Sequence, residues 1–138
     1  MALPVIIPFA IGALILGGCV KAISDVRKSY PLATLEGSEW IPKNDGQSGR
    51  FVAFKTGGEI TGHGGCNQFF GQYDQEGMVL TIGALASTKK FCDGLMESES
   101  EFLQILRSTR RVESTHKELK LLGSEGEILM ELQRRDWD

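Results

Sequence analysis

The chain has 138 residues, 24% charged and 41% hydrophobic, which excludes a disordered or polytopic membrane protein and fits one domain with a short appendage. A formal net charge of −3 lacks the basic footprint of a nucleic-acid binder, so no nucleic-acid partner is expected. The 17 glycines, against a usual share of about 7%, favour a turn-rich β protein over a helical bundle.

Residues 1–20 carry no charged side chain, and the apolar run Leu3–Leu16 has the length of a signal-peptide core. It ends in Leu16-Gly17-Gly18-Cys19, a string that resembles the lipobox of bacterial lipoproteins. The apolar segment would deliver the site to the membrane, the small residues would admit the peptidase, and the Cys19 thiol would accept a diacylglyceryl group. The expected division is 1–18 signal peptide, 19–34 lipidated N-terminus and polar tether, and 35–138 folded domain. More than one acyl chain gives stable anchoring. Val20, where inner-membrane lipoproteins tend to have aspartate, points to the outer membrane, facing the periplasm. Two features depart from the pattern: no Lys or Arg precedes the apolar run, and Pro4 and Pro8 interrupt it. An uncleaved anchor is the alternative, since about 20 apolar residues span a bilayer.

Ser38–Ile41 reads as a short apolar start with Trp40 as a core anchor, followed by the turn formers of Pro42–Gly49. Arg50–Lys55 is a strand, Gly57-Gly58 a hairpin signal, and Glu59–Thr61 the returning strand. Gly62–Gly65, with His63 inside, reads as a bend or bulge; no Lys-Ser or Lys-Thr follows to make a phosphate loop. Gln68–Asp74 places Phe69, Gly71 and Tyr73 on one face. After a turn at Gln75-Glu76-Gly77, Met78–Ile82 alternates in the same way.

A helix is expected over Gly94–Ser108, capped by Asp93, with Leu95, Phe102, Leu103 and Leu106 on its buried face. Glu97, Glu99 and Glu101 read as a solvated face that suits the helix dipole. Strands at Arg111–Thr115, Glu118–Leu122 and Ile128–Leu132 precede a polar tail carrying Trp137. The expected fold is α+β, a strongly curved antiparallel sheet of about seven strands wrapped around one amphipathic helix.

With Cys19 lipidated, Cys66 and Cys92 remain, and an oxidising compartment would pair them. Two buried free thiols are the alternative. A metal set of His63, Cys66, Cys92 and His116 lacks the paired close spacing of structural zinc sites, so no metal is expected. A Cys–His catalytic dyad has no sequence support either.

The nonapeptide Gly65-Cys66-Asn67-Gln68-Phe69-Phe70-Gly71-Gln72-Tyr73 resembles the G-C-N-x-x-x-G-x-Y core of the META domain, or HslJ-like, family. Leu80, Ile82, Ala86, Thr88, Lys89 and Cys92 fit its L-x-I-x-x-x-A-x-T-[RK]-x-x-C segment. Met96, Glu99, Phe102 and Leu103 fit M-x-x-E-x-x-F-L, and Leu35, Gly37, Ser38 and Trp40 fit L-x-G-[ST]-x-W. The resemblance covers about Leu35–Leu132. It implies a small exported protein, often a lipoprotein, with a curved sheet on a helix. Roles linked to the family are heat-shock induction, novobiocin resistance and, in trypanosomatids, virulence. A type III secretion pilotin of related cracked-barrel architecture holds an acyl chain.

No family-wide enzymatic activity is established, so no catalytic residue and no cofactor is expected. Trp40, Gly65, Asn67, Gly71, Tyr73 and Thr88 are carried over as structural residues, and the two motif cysteines as neighbours. The expected function is a non-catalytic cell-envelope lipoprotein. It would be a stress-protective or protein-interaction module, bound to the membrane by its lipid and to an unidentified envelope protein. The alternative is a carrier of an apolar small molecule or acyl chain, with Phe51, Phe54, Phe69, Phe70 and Phe91 as candidate lining.

Overall fold

The computed structural model describes residues 34–45 and 48–135. The signal segment, Cys19, nearly all of the tether and Trp137 lie outside the described residues. The described residues form nine strands and one α-helix. The strands are β1 (Ser38–Pro42), β2 (Phe51–Phe54), β3 (Glu59–His63), β4 (Gln68–Glu76), β5 (Val79–Ile82), β6 (Ala86–Ser87), β7 (Arg111–Ser114), β8 (Glu118–Leu122) and β9 (Ile128–Arg134). The helix α1 spans Met96–Ser108, between β6 and β7.

All strand pairings are antiparallel, in the order β3-β2-β1-β9-β8-β7-β5-β4-β6, and β3 also pairs with β4. That last pairing bends the sheet into a ring, with β6 as a short branch on β4. The weakest seam joins β5 to β7. It holds one residue pair, Val79 with Arg111, flanked by hydrogen bonds from Leu80 N to Arg110 O (3.0 Å) and from Val112 N to Met78 O (2.8 Å).

The α+β architecture agrees with the sequence reading, but the strand count is nine, not about seven. The two additional strands are β1, whose Ser38–Ile41 reads in the sequence only as an apolar start, and β6. β6 has only two residues, too few to show a period, and it exists because Phe69 and Phe70 of β4 pair with its Ser87 and Ala86. Alternation sets the faces elsewhere. In β5, Leu80 and Ile82 are buried while Val79 and Thr81 are exposed.

The core gathers Trp40, Phe54, Ile60, Phe69 and Leu80 from the sheet with Phe102 and Leu106 from α1. Each of these side chains stabilises by roughly 1.5–3 kcal/mol when fully buried. Phe69 and Phe102 meet edge to face, with centroids 6.0 Å apart. Gly62 sits where β3 crosses this core. A Cβ there would lie 2.2 Å from Phe51 O and 2.4 Å from Phe69 Cζ.

The start of the helix differs from expectation. Asp93 does not cap it; Leu95 holds the N-cap position and no side chain caps the helix. Gly94, at φ +75°, instead turns the chain into α1, and Leu95 N closes that turn on Cys92 O at 3.1 Å. Leu95 is also 39% exposed, so it does not belong to the buried face. That face is Glu99, Phe102, Leu103 and Leu106, spaced i, i+3, i+4, i+7.

Candidate functional site

The signature motif lies where β3 hands over to β4. Gly64 N donates to Asn67 O at 2.8 Å, Gly65 N donates to His63 Nδ1 at 3.1 Å, and Gly65 takes φ +115°. This tight turn aims two consecutive backbone N–H groups at α1. Glu99 Oε2 accepts both, from Cys66 N at 2.8 Å and Asn67 N at 2.6 Å. Glu99 Oε1 accepts Asn67 Nδ2 at 2.7 Å. The carboxylate needs Gly64 beside it, because a Cβ there would lie 2.6 Å from Glu99 Cγ.

Asn67 faces two ways. Besides Glu99, its Nδ2 donates to Lys90 O at 3.0 Å, and its Oδ1 accepts Lys90 N at 2.6 Å and Thr88 Oγ1 at 2.8 Å. The amide thereby uses two donors and two lone pairs, its full capacity. Thr88 Oγ1 accepts Gln68 N at 3.2 Å, and Thr88 N donates to Gln68 O at 3.0 Å. A disulfide joins Cys66 to Cys92, with the two Cα atoms 5.8 Å apart. The β3–β4 turn, the 88–92 segment and the first turns of α1 are thus locked together at one point.

Glu99 is only 5% exposed. Burial pushes its carboxyl up, but the hydrogen bonds from Asn67 Nδ2, Asn67 N and Cys66 N outweigh it and leave the group below its ordinary value. The reading of Glu99 as a solvated charge is therefore corrected. The signal was present: from Glu99, steps of three, four and seven residues reach Phe102, Leu103 and Leu106, so the carboxylate shares the apolar stripe. Glu97 and Glu101 are exposed, as expected.

The other family-motif residues are spread over the ring. Trp40 is 1% exposed and its Nε1 donates to Ser38 Oγ at 2.6 Å. Gly71 lies where a Cβ would meet Ala84 O at 2.7 Å, which lets the chain after β5 cross β4 closely. The Tyr73 ring packs edge-on against Phe54, centroids 5.0 Å apart, and its hydroxyl donates to Lys55 O at 3.1 Å. Burial and the Glu36 carboxylate raise its phenol above the usual range.

Both sulfurs of Cys66 and Cys92 are engaged in one bond, so neither is a free thiolate for a metal or a nucleophilic role. His116 is exposed in the β7–β8 turn. The five phenylalanines do not form one lining. Phe54 and Phe69 fill the core, Phe51 packs under the Arg135 guanidinium at 4.5 Å, and Phe70 and Phe91 are 53% and 80% exposed. A depression of about 520 Å³ is lined by Asp45, Arg50, Gln133 and Arg135 among others. Its guanidinium groups are paired, Arg50 with Asp45 and Arg135 with Glu39 at 2.8 Å. The Arg50 hydrogen bond holds the Asp45 carboxyl below its ordinary value.

The family model of the META domain matches residues 24–136. No curated protein matches. Among solved structures, the chain is similar to a protein from Burkholderia xenovorans, with a TM-score of 0.60, 19% identity, and 75% of this chain and 85% of that one covered. It is also similar to a DUF4847 family protein from Bacteroides vulgatus, with a TM-score of 0.54, 18% identity, and 66% and 62% covered. A third structure aligns with a TM-score of 0.55, 20% identity, and 72% and 90% covered. At these identities the likeness is one of fold.

Proposed function

The chain belongs to the META domain family, and we propose that it works as a non-catalytic cell-envelope lipoprotein, a rigid interaction module held to the membrane by Cys19. The observation that carries this reading is the mutual engagement of the motif. Glu99, Asn67, Thr88, Cys66 and Cys92 hold one another and the backbone around them. Side chains so fully occupied brace a surface; they do not stand ready for a substrate. The Leu16-Gly17-Gly18-Cys19 string supports lipidation, and Val20 supports residence at the outer membrane, facing the periplasm. A stress-protective role fits the family's links to heat shock and antibiotic resistance. The acyl-carrier alternative has less behind it, because Phe54 and Phe69 are core residues.

The test is the intact mass of the native protein extracted from membranes, before and after reduction. A chain that begins at triacylated Cys19 and gains two hydrogens on reduction is expected. A full-length, unlipidated chain would overturn the lipoprotein assignment. Recovery of every abundant envelope protein in equal measure after crosslinking would overturn the interaction role.

A further inference from the structure

The segments that the Cys66–Cys92 bond joins are also held together without it. Asn67 Nδ2 donates to Lys90 O at 3.0 Å, and Asn67 Oδ1 accepts Lys90 N at 2.6 Å. Thr88 N donates to Gln68 O at 3.0 Å. Each cysteine is further fixed by its own backbone. Cys66 N donates to Glu99 Oε2 at 2.8 Å. Cys92 N donates to Met96 Sδ at 3.4 Å, and Cys92 O accepts Leu95 N at 3.1 Å. None of these contacts passes through the bonded sulfurs. The β3–β4 turn and the 88–92 segment are therefore kept in register twice, once by hydrogen bonds and once by the covalent bond.

The two cysteines differ in access. Cys66 is 6% exposed. Cys92 is partly exposed and stands between two exposed stretches, 88–91 and 93–95. An incoming thiolate therefore meets Cys92 Sγ first. Cys66 is also prepared for the opened state. Lys90 O lies 3.6 Å from its Sγ, so the thiol formed there has an acceptor for its S–H without moving. Groups that hold two thiols in one place raise their effective concentration toward each other and favour closure of the bond. Asn67, bonded to both the N–H and the carbonyl of Lys90, is thus a positioning residue for the disulfide.

We propose that the Cys66–Cys92 pair is a reversible redox element, opened by a dithiol reductant while the domain stays folded. One thiolate of the reductant attacks Cys92 Sγ, the Cys66–Cys92 bond breaks, and Cys66 leaves as a thiolate that takes a proton from water. The second thiol of the reductant loses its proton, attacks the reductant's own sulfur in the mixed disulfide and releases Cys92, which is protonated in turn. Two electrons pass to the protein, the domain gains two hydrogens, and the reductant departs as a disulfide. The redox state sets how firmly the 88–92 segment is held: covalently when oxidised, by hydrogen bonds alone when reduced. This device goes beyond the interaction-module reading and does not depend on it.

The experiment equilibrates the full-length protein with mixtures of reduced and oxidised glutathione, a monothiol that stands in for each half of the reductant. Samples are trapped with acid, free thiols are alkylated, and Cys66 and Cys92 are mapped by mass spectrometry. Circular dichroism follows the fold in the same mixtures. The dithiol form should keep a cooperative thermal transition, and the trapped glutathione adduct should sit on Cys92. Asn67→Ala should shift the equilibrium for closing the bond about tenfold or more toward the dithiol. Thr88→Val removes the hydroxyl that links Asn67 Oδ1 to Gln68 N and should shift it the same way by less. An unfolded dithiol form, an adduct confined to Cys66, or folded variants whose equilibrium equals that of wild type would each overturn the proposal. Should Asn67→Ala fail to fold, Thr88→Val alone decides.

Discussion

Replacing Glu99 with alanine removes the acceptor of three buried N–H groups at once: Cys66 N, Asn67 N and Asn67 Nδ2. Each charge-assisted hydrogen bond is worth about 1.5–3 kcal/mol, but the three share one carboxylate whose own burial opposes them, so they do not add. Leaving these three buried donors unsatisfied costs about 1–3 kcal/mol each, offset in part by relief of the carboxylate's own desolvation, so about 3–5 kcal/mol is expected for Glu99→Ala. For a domain of this size that lowers the thermal midpoint by roughly 12–25 °C. Glu99→Gln keeps the shape, and its one oxygen can replace Oε2; its amide nitrogen then faces Asn67 Nδ2, donor against donor. A loss of about 1–3 kcal/mol is expected.

The pH dependence separates this account from simple loss of packing. The folded carboxyl lies below its ordinary value of 4.5, so its contribution is complete above that value and disappears as pH falls through the folded pKa. The wild-type midpoint should hold steady down to about pH 5 and then fall. The Glu99→Gln midpoint should start lower and fall less over the same range, with a residual slope from Asp45, whose carboxyl Arg50 also holds down. Thermal unfolding followed by circular dichroism from pH 3 to pH 8 reads both effects. A Glu99→Gln protein as stable as wild type at pH 7, with the same acid slope, would refute the reasoning.

Asn67→Asp would set a second carboxylate against Glu99 Oε1, raising a folded carboxyl pKa above its unfolded value; the stability deficit should be widest above pH 7 and narrow towards pH 5. A gap constant across that range would exclude charge repulsion as its cause. Serine at both Cys66 and Cys92 opens a crosslink with a sequence separation of 26 and should cost about 3.5 kcal/mol by loop entropy, read from urea unfolding. Combined with Glu99→Gln, this change should cost less than the sum, because both constraints hold the same segments; strict additivity would show that they act separately. Gly62→Ala drives a methyl against Phe51 O and the Phe69 ring and should cost about 1–3 kcal/mol or more, while Gly77→Ala, whose Cβ meets nothing within 4 Å, should pay only for its φ of +59°.

Much of this protein was legible locally. The alternation of Leu80 and Ile82 with Val79 and Thr81 assigns the faces of β5, since a strand's side chains repeat every two residues whatever surrounds them. The stripe of Phe102, Leu103 and Leu106 announces one buried helix face by the same kind of reasoning at a period of 3.6. The Gly-Cys-Asn core, with its spaced companions, is a family signature readable as text. Contacts between distant segments were not legible in that way. Glu99 resembles its exposed neighbours Glu97 and Glu101 in type, and only the β3–β4 turn, arriving from more than thirty residues earlier, supplies the N–H groups that make burial of a carboxylate tolerable. The two residues of β6 carry no period, and they become a strand because β4 has unpaired edge groups beside them. Ring closure through β3 and β4, and the single-pair seam between β5 and β7, depend on how every strand twists against its neighbour, a sum taken over the whole sheet.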